Sequence, residues 1–216
     1  KTITSVQNSI LYHAAQSMPH STSGYSIRTH GLVTAIRKSE WDARVQLRHG
    51  YPLDRTDFKG DVVLEHEEID GTPYRFNPSS NDNLSNLINY ADVFNFSQLE
   101  AYQSAAVSSL MSQAEKSKPA IIHSASNFVV GLAGAEAAKR LGVPSIYEIR
   151  GFWHLTQATK RLGYESSDHY ELSERLEFET ARNSDHVFTI THAHTYNYLS
   201  LPNNQPINHS LFHLRE

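Results

Sequence analysis

One segment, residues 118–151, restricts the possible folds of this chain more than any other. An apolar run at 120–122 ends in the polar stretch 123–127, and a helix rich in small residues leads through a Gly-Val-Pro turn to a second run at 145–149. Strand, helix and strand in this order predict a βαβ unit with parallel strands and a right-handed crossover. Ligands of such sheets bind beyond the carboxyl ends of the strands, which places a candidate site at 123–127 and 148–153.

The composition excludes several classes of protein. The chain has 216 residues, of which 39% are hydrophobic and 19% charged, as in soluble globular domains that bury a full core. A net charge of −4 offers no basic face of the kind that nucleic-acid binding requires. No apolar stretch approaches about 18 residues, so no transmembrane helix is expected. The absence of cysteine excludes disulfides and thiolate metal sites and fits a reducing compartment.

Outside the βαβ unit, strands and helices continue to alternate. Further strands are predicted at 9–14, 44–47, 61–64 and 186–191. Further helices are predicted at about 26–38, 86–116 and 171–183. Asp70-Gly71 is typical of a two-residue hairpin turn of type I′. This order predicts an α/β fold, with a Rossmann-like, mainly parallel sheet and helices on both faces.

We expect one folded domain within a longer protein. The chain begins at Lys1 rather than methionine and ends in a segment with little periodicity. We therefore divide it into an N-terminal coil at 1–8, a Rossmann-like domain at 9–200, and a tail or linker at 201–216 towards a C-terminal domain.

Small and polar residues at two strand ends are candidates for ligand binding. Gly24 lies between a strand and a helix, where the missing Cβ lets the backbone approach an anion, although a tight turn would also use glycine. Ser126 and Asn127 could cap the following helix, and an N-cap lies where an anion would dock. No G-x-G-x-x-G pattern follows the first strand, so the dinucleotide fingerprint is absent.

Each remaining candidate has two interpretations. Arg150 either clamps a phosphate or carboxylate, or forms an ion pair with Glu148. His123 ends a buried strand, which favours a hydrogen-bonded structural role over that of a general base. Trp153 either stacks on a sugar or packs its loop against the domain, and packing is the commoner use.

The sequence does not predict a metal site. His192 and His194 are two residues apart, which suits neither one helix face nor the i, i+4 zinc motif. The cations Lys116, Lys118, Lys139 and Arg140 form no dense run, so support for a membrane-surface patch is weak.

Several segments, taken in order, resemble one family. They are MPHSTSGYSIRTHGLVTAIR (18–37), GYPLDR (50–55), DGTPY (70–74), KPAIIHSASN (118–127), LGVPSIYEIRG (141–151) and EFETARNSDHVFTIT (177–191). Together they are similar to the N-terminal, acceptor-side domain of retaining glycosyltransferases of family 4, which have the two-domain GT-B fold. Nothing in the chain matches the paired-glutamate motif of that family's C-terminal domain.

The resemblance implies transfer of a sugar from a nucleotide diphosphate sugar, as co-substrate, to an acceptor hydroxyl with retention, without a metal or other cofactor. The implied partners are a nucleotide sugar, a carbohydrate or lipid-linked acceptor, and the C-terminal domain of the same protein. The implied location is cytoplasmic and could include a peripheral position at a membrane. This part of the enzyme is expected to be inactive alone.

The resemblance also transfers roles to residues. Gly24 matches the glycine whose backbone faces the donor phosphates. His123 matches the first histidine of an H-x-H strand end whose second position is Ala125 here, so the catalytic residue stays open between His123 and Asn127. The binding candidates are Ser23, Gly24, Tyr25, His123, Ser126, Asn127, Arg150, Trp153 and Thr191.

Two other functions remain open. One is half of a GT-B nucleotide-sugar epimerase, against which the lack of acidic and histidine residues at several strand ends argues. The other is a non-catalytic module that binds a sugar or a nucleotide. In every case, we expect Gly24, Asn127 and Arg150 to converge along one rim of the sheet.

Overall fold

A computed structural model of the protein describes residues 2–55, 57–60, 63–78, 96–190 and 212–214. Its strands are β1 (Ser9–Ala14), β2 (Asp42–Leu47), β3 (His66–Ile69), β4 (Thr72–Arg75), β5 (Ile121–Ala125), β6 (Ser145–Ile149), β7 (His186–Thr189) and β8 (Phe212–Leu214). Its helices are α1 (Gly24–Lys38), α2 (Phe96–Ser117), α3 (Phe128–Leu141), α4 (Trp153–Ala158) and α5 (Asp168–Arg182), with a 3-10 turn at Tyr164–Ser166.

The described strands form one sheet of eight in the order β3-β4-β2-β1-β5-β6-β7-β8. Every neighbouring pair is parallel except β3 and β4, which form an antiparallel hairpin. The predicted α/β, Rossmann-like class is therefore confirmed. The strand order reverses at β1, with β2 on one side and β5 on the other, which is the switch point where such sheets open a binding crevice.

Local sequence explains where several elements begin and turn. Asp70 and Gly71 have φ angles of 47° and 73°, so the hairpin has the two left-handed residues of a type I′ turn, as predicted. Ser23 caps α1, which begins two residues before the predicted start. Gly142 ends α3 in a left-handed conformation, φ 71°, which glycine adopts without strain.

Three features of the fold differ from the sequence-based predictions. The residues at 63–64, predicted as strand, lie outside β3, which begins at His66. The segment 151–169 contains α4 and the 3-10 turn, which are too short to show a clear hydrophobic period. Strand β8 lies within 201–216, where the sequence predicted a tail or linker, because three residues carry no readable alternation. The predicted helical residues at 86–95 lie outside the described residues.

Two apolar layers enclose the sheet because successive strand residues point to opposite faces. Tyr12 and Val45 pack with Val33 of α1 on one face. On the other face, residues such as Leu11 and Ile122 pack with α2 and α3. The helices therefore cover both faces, as predicted, and the strand ends stay open to a ligand.

Two glycines let α3 lie unusually close to its neighbours. A Cβ atom at Gly134 would overlap the Ser124 hydroxyl of β5, and one at Gly131 would overlap Thr180 of α5 and Tyr147 of β6. Close packing at both positions fixes the N-terminal end of α3 against the sheet.

Candidate functional site

A cleft of ≈ 590 Å³ opens at the carboxyl edge of the sheet, across the switch point between β1 and β5. It receives side chains from the segments that follow β1, β2, β5 and β6, which the parallel topology brings to one edge. Its lining residues are Ala15, Gln16, Tyr25, Arg48, Asp54, Arg55, Asp57, Ser126, Asn127, Arg150, Gly151, Trp153 and Thr156. Of the predicted binding residues, this set contains Tyr25, Ser126, Asn127, Arg150 and Trp153.

Arg150 reaches the cleft, but its guanidinium group is turned into the protein. Its Nη1 donates to the Tyr25 carbonyl oxygen (3.0 Å) and to Thr29 Oγ1 (2.8 Å). Its Nη2 donates to Tyr12 Oη (2.5 Å) and Glu148 Oε2 (3.2 Å), and the side chain is only 6% exposed. Of the two interpretations of this residue, the ion pair with Glu148 is therefore the one that the structure contains.

Glu148 is the centre of a buried polar network beneath α1. Its carboxylate accepts hydrogen bonds from Tyr12 Oη (2.6 Å) and Arg28 Nε (3.1 Å), and His123 Nε2 lies 3.4 Å away. Burial alone would raise the pKa of Glu148, but the adjacent His123 ring and the charge of Arg150 outweigh it and hold the pKa well below its usual range. The carboxylate therefore stays ionised and binds α1 to β6.

His123 lies apart from the cleft. It lines a smaller cavity of ≈ 140 Å³ beneath α1, together with residues such as Phe188. Its ring centroid is 4.5 Å from that of Tyr12, and the residue is 8% exposed. This placement separates His123 from Asn127, the other catalytic candidate.

Tyr25 connects three strand ends that border the cleft. Its hydroxyl accepts from the Ala15 N–H (3.0 Å) after β1 and donates to the Ala125 carbonyl oxygen (3.1 Å) at the end of β5. Its ring lies 4.6 Å from the Arg150 guanidinium after β6. Tyr25 thereby fixes the first turn of α1 against the sheet.

Ser126 and Asn127 begin α3 at the rim of the cleft. Asn127 is the N-cap, as predicted, and its Oδ1 accepts from the Val129 N–H (3.2 Å). The Ser126 hydroxyl accepts from the backbone N–H of Arg150 (3.0 Å), which joins the ends of β5 and β6.

Glu177 of α5 supplies a second, buried contact to the same helix terminus. Its Oε2 accepts from the Phe128 N–H (2.9 Å), and its Oε1 accepts from the Tyr147 hydroxyl. Burial raises the pKa of Glu177 to about 7, although these two hydrogen bonds oppose the shift. The sequence predicted an amphipathic helix here but gave no sign of this contact, because it joins residues 49 positions apart.

The segment after β2 contributes two arginine–aspartate pairs to which the sequence analysis assigned no role. Arg48 donates from Nε (3.0 Å) and Nη2 (2.8 Å) to the two oxygens of Asp54, and both side chains are buried. Burial raises the pKa of Asp54, and the charge of Arg48 opposes it. Arg55 pairs similarly with Asp57. The sequence did contain a signal for these residues, since they directly follow a strand that lies next to β1.

The remaining candidates lie beside the cleft or cannot be placed. Ser23 and Gly24 precede Tyr25 at the start of α1, and the direction of a Cβ at Gly24 is open. Trp153 begins α4 and lines the cleft. Thr191 lies outside the described residues.

Two further properties bear on function. Within the described ranges, no three His, Cys, Asp or Glu side chains converge in a way that could hold a metal ion. Among the helices of those same ranges, none combines the length and apolar character needed to cross a bilayer.

Comparison with solved structures shows the fold. UDP-GlcNAc 2-epimerase from Neisseria meningitidis, bound to UDP-GlcNAc, is similar with a TM-score of 0.54 and 13% identity over 95% of this chain and 45% of that one. The Methanocaldococcus jannaschii UDP-GlcNAc 2-epimerase has a TM-score of 0.55 and 14% identity over 95% of this chain and 46% of that one. Phytolacca americana UGT2, complexed with UDP-2fluoro-glucose and pterostilbene, has a TM-score of 0.53 and 11% identity over 96% of this chain and 53% of that one. The chain spans about half the length of these GT-B proteins.

Sequence comparison identifies the family. No curated protein matches the chain significantly. The model of the glycosyl transferase 4-like domain matches residues 23–198, which include α1, the βαβ unit and every cleft residue except Ala15 and Gln16. With most of its length matched, the chain belongs to the glycosyl transferase 4-like domain family.

Proposed function

We propose that this chain is the acceptor-side half of a retaining GT-B glycosyltransferase, which moves a sugar from a nucleotide diphosphate sugar to an acceptor hydroxyl. The cleft at the switch point of the sheet is the observation that carries the proposal, because it is open at the edge where α/β sheets bind ligands. Membership of the glycosyl transferase 4-like family supports the reaction class. The half-length match to GT-B structures supports a second half that completes the cleft.

The proposal assigns different tasks to different parts of the rim. Gly24, at the N-terminus of α1, faces the donor phosphates, where the positive end of the helix favours the leaving diphosphate. Trp153 and Asn127 contact the acceptor, because both line the cleft. Closure of the second half over this wall would exclude water from the reacting hydroxyl. Thr191 stays a proposed contact at the end of the last strand.

We further propose that the domain comprises residues 9–200 together with β8, and that the connection to the other half follows β8. Alone, residues 1–216 should bind UDP or GDP weakly and show no turnover, because one wall of the site is missing. Micromolar or tighter binding of UDP to this chain, measured by calorimetry, would contradict the assignment. We propose a cytoplasmic location for the enzyme.

The test is a glycosyl-transfer assay on the full-length protein with UDP- and GDP-sugars and a panel of acceptors, read by mass spectrometry. Trp153→Phe should lower turnover, whereas Trp41→Phe, before β2 at the opposite edge of the sheet, should not. A product that retains the donor's anomeric configuration supports the proposal. Loss of nucleotide sugar without a transfer product refutes it.

A nucleotide-sugar epimerase is the second candidate, because several of the similar solved structures are UDP-GlcNAc 2-epimerases. At 13–14% identity those structures show the fold alone. The same assay separates the candidates, since an epimerase converts the nucleotide sugar without any acceptor. A protein that binds the nucleotide sugar and does neither is a non-catalytic module.

A further inference from the structure

The charges of the cleft are paired with one another, which determines what kind of group can bind there. Arg48 donates to both oxygens of Asp54, and its Nη1 donates to the Ala15 carbonyl oxygen. The side chains of Arg48 and Asp54 are 5% and 0% exposed. The guanidinium is therefore neutralised before any ligand arrives, and breaking a buried pair would be strongly unfavourable.

The second arginine is also occupied, although it is nearer to solvent. Arg55 Nε donates to Asp57 Oδ1 (2.7 Å), its Nη2 donates to Asp57 Oδ2, and its Nη1 donates to Gln16 Oε1 (2.9 Å). The Arg55 hydrogen bond holds the pKa of Asp57 below its usual range, so the carboxylate is ionised at neutral pH. A phosphate that approached Arg55 would meet this negative charge within the same pair.

The third arginine, Arg150, belongs to the buried polar network around Glu148 beneath α1. Arg150 is paired with Glu148, which also accepts from Arg28, and its two terminal nitrogens donate to Tyr12, Tyr25 and Thr29 as well. The arginines of the described lining and their acidic partners therefore balance, with three charges of each sign.

The start of α3, one of the helix termini at the cleft, is occupied as well. The first four N–H groups of α3 are those that could bind an anion. Phe128 N–H donates to the Glu177 carboxyl group and Val129 N–H to Asn127 Oδ1, while the next two donate to the Asn127 carbonyl oxygen. This end of α3 therefore has no N–H group left for a phosphate.

The sequence adds a constraint on the two long segments that the structure does not describe. The two long undescribed segments, 79–95 and 191–211, contain no lysine and no arginine. They cannot supply a permanent cation to this wall of the cleft.

We infer that this wall of the cleft receives a neutral, hydroxylated acceptor and excludes phosphate and carboxylate groups. The inference rests on the proposed function and specifies its substrate class. Sugar hydroxyls suit the wall because Asp57 and Gln16 offer oxygen atoms that accept hydrogen bonds, and the ring of Trp153 offers an apolar face. The negative charge of the donor diphosphate is then stabilised by the start of α1 and by the other half of the enzyme.

The test asks whether removing one acid creates an anion site. The full-length protein, saturated with UDP to block the donor side, is titrated with inorganic phosphate and observed by phosphorus NMR. Wild-type protein should show no saturable binding in the millimolar range. Asp57→Asn should bind phosphate at least about tenfold more tightly, because Arg55 regains an unpaired charge. Asp42→Asn is the matched control, since it removes the partner of Arg44 and Arg37 at the start of β2, at the other edge of the sheet.

The inference would be overturned if the wild-type protein bound phosphate saturably and Arg55→Gln abolished that binding. It would also be overturned if Asp57→Asn bound phosphate no better than Asp42→Asn. A second arm compares neutral methyl glycosides of glucose, mannose and galactose with their 6-phosphates as acceptors. The neutral compounds should be preferred by at least about tenfold in kcat/KM, and a preference for the phosphates refutes the inference. Absence of any transfer refutes the proposed function instead, while the phosphate titration still decides the charge of the wall.

Discussion

The buried carboxyl group of Glu177 should make the stability of this domain depend on pH in an unusual direction. Its pKa is raised from an ordinary 4.5 to about 7 by burial. Each tenfold change in proton affinity corresponds to about 1.4 kcal/mol, so the raised pKa corresponds to about 3 kcal/mol. Below pH 4.5 the group is protonated in both states and its contribution to stability is fully present.

Between pH 4.5 and 7 the unfolded chain loses this proton while the folded protein keeps it. The contribution of Glu177 to the free energy of unfolding should therefore fall by about 1.4 kcal/mol per pH unit in this range and be lost above it. Glu177→Gln cannot ionise, and its amide can still accept from the Phe128 N–H. The difference in unfolding free energy, variant minus wild type, should thus rise by about 3 kcal/mol between pH 4.5 and about pH 8.

Urea denaturation of both proteins across this pH range measures the difference directly. Any constant effect of the substitution, such as an altered bond to Tyr147, cancels because only the change with pH is compared. Glu179→Gln is the control, because it lies on the same helix with a side chain 44% exposed. Parallel stability curves for Glu177→Gln and wild type would refute the reasoning.

Three further predictions concern the packing and the rim of the cleft. Gly134→Ala should destabilise the domain by about 1–3 kcal/mol in thermal or urea unfolding, because the added Cβ would overlap a hydroxyl group of β5. Gly24→Ala should leave stability unchanged, because no atom lies within 4 Å of the position of its Cβ. Equal effects of the two substitutions would contradict this prediction. Tyr25→Phe should lose two hydrogen bonds to strand ends and about 1–3 kcal/mol by the same measurement, and an unchanged midpoint would show that the hydroxyl does not fix α1. Asp54→Asn should be destabilising by about 3–5 kcal/mol, since it leaves the buried charge of Arg48 without its partner, and a loss below 1 kcal/mol would mean that the pair is not sealed from water.

Much of the fold could be predicted because the relevant signals are local. The alternation of short apolar runs with helical patterns predicted the parallel sheet, and Asp70-Gly71 predicted the hairpin with its two positive φ angles. Strand β8 was missed because a strand of three residues carries almost no pattern. The short helix α4 was missed for the same reason.

The candidate site was predicted less completely. The sequence directed attention to Asn127 and Trp153, which do line the cleft. It left Arg48 and Asp54 unassigned, although both follow a strand next to the switch point. It also grouped His123 with the cleft residues, whereas the face of β5 on which His123 lies turns it beneath α1.

The sequence by itself determined the class of fold, the edge of the sheet at which a ligand can bind and the residue types available there, because periodicity and strand ends are properties of neighbouring residues. Only the tertiary structure decided which polar groups are available to a ligand. Arg150 could have bound a phosphate, but folding brings it against Tyr12, 138 positions away, and that tyrosine in turn donates to Glu148. A buried charge is stable only when it is paired. Charged side chains that local motifs would assign to substrate binding are therefore paired with residues from distant parts of the chain.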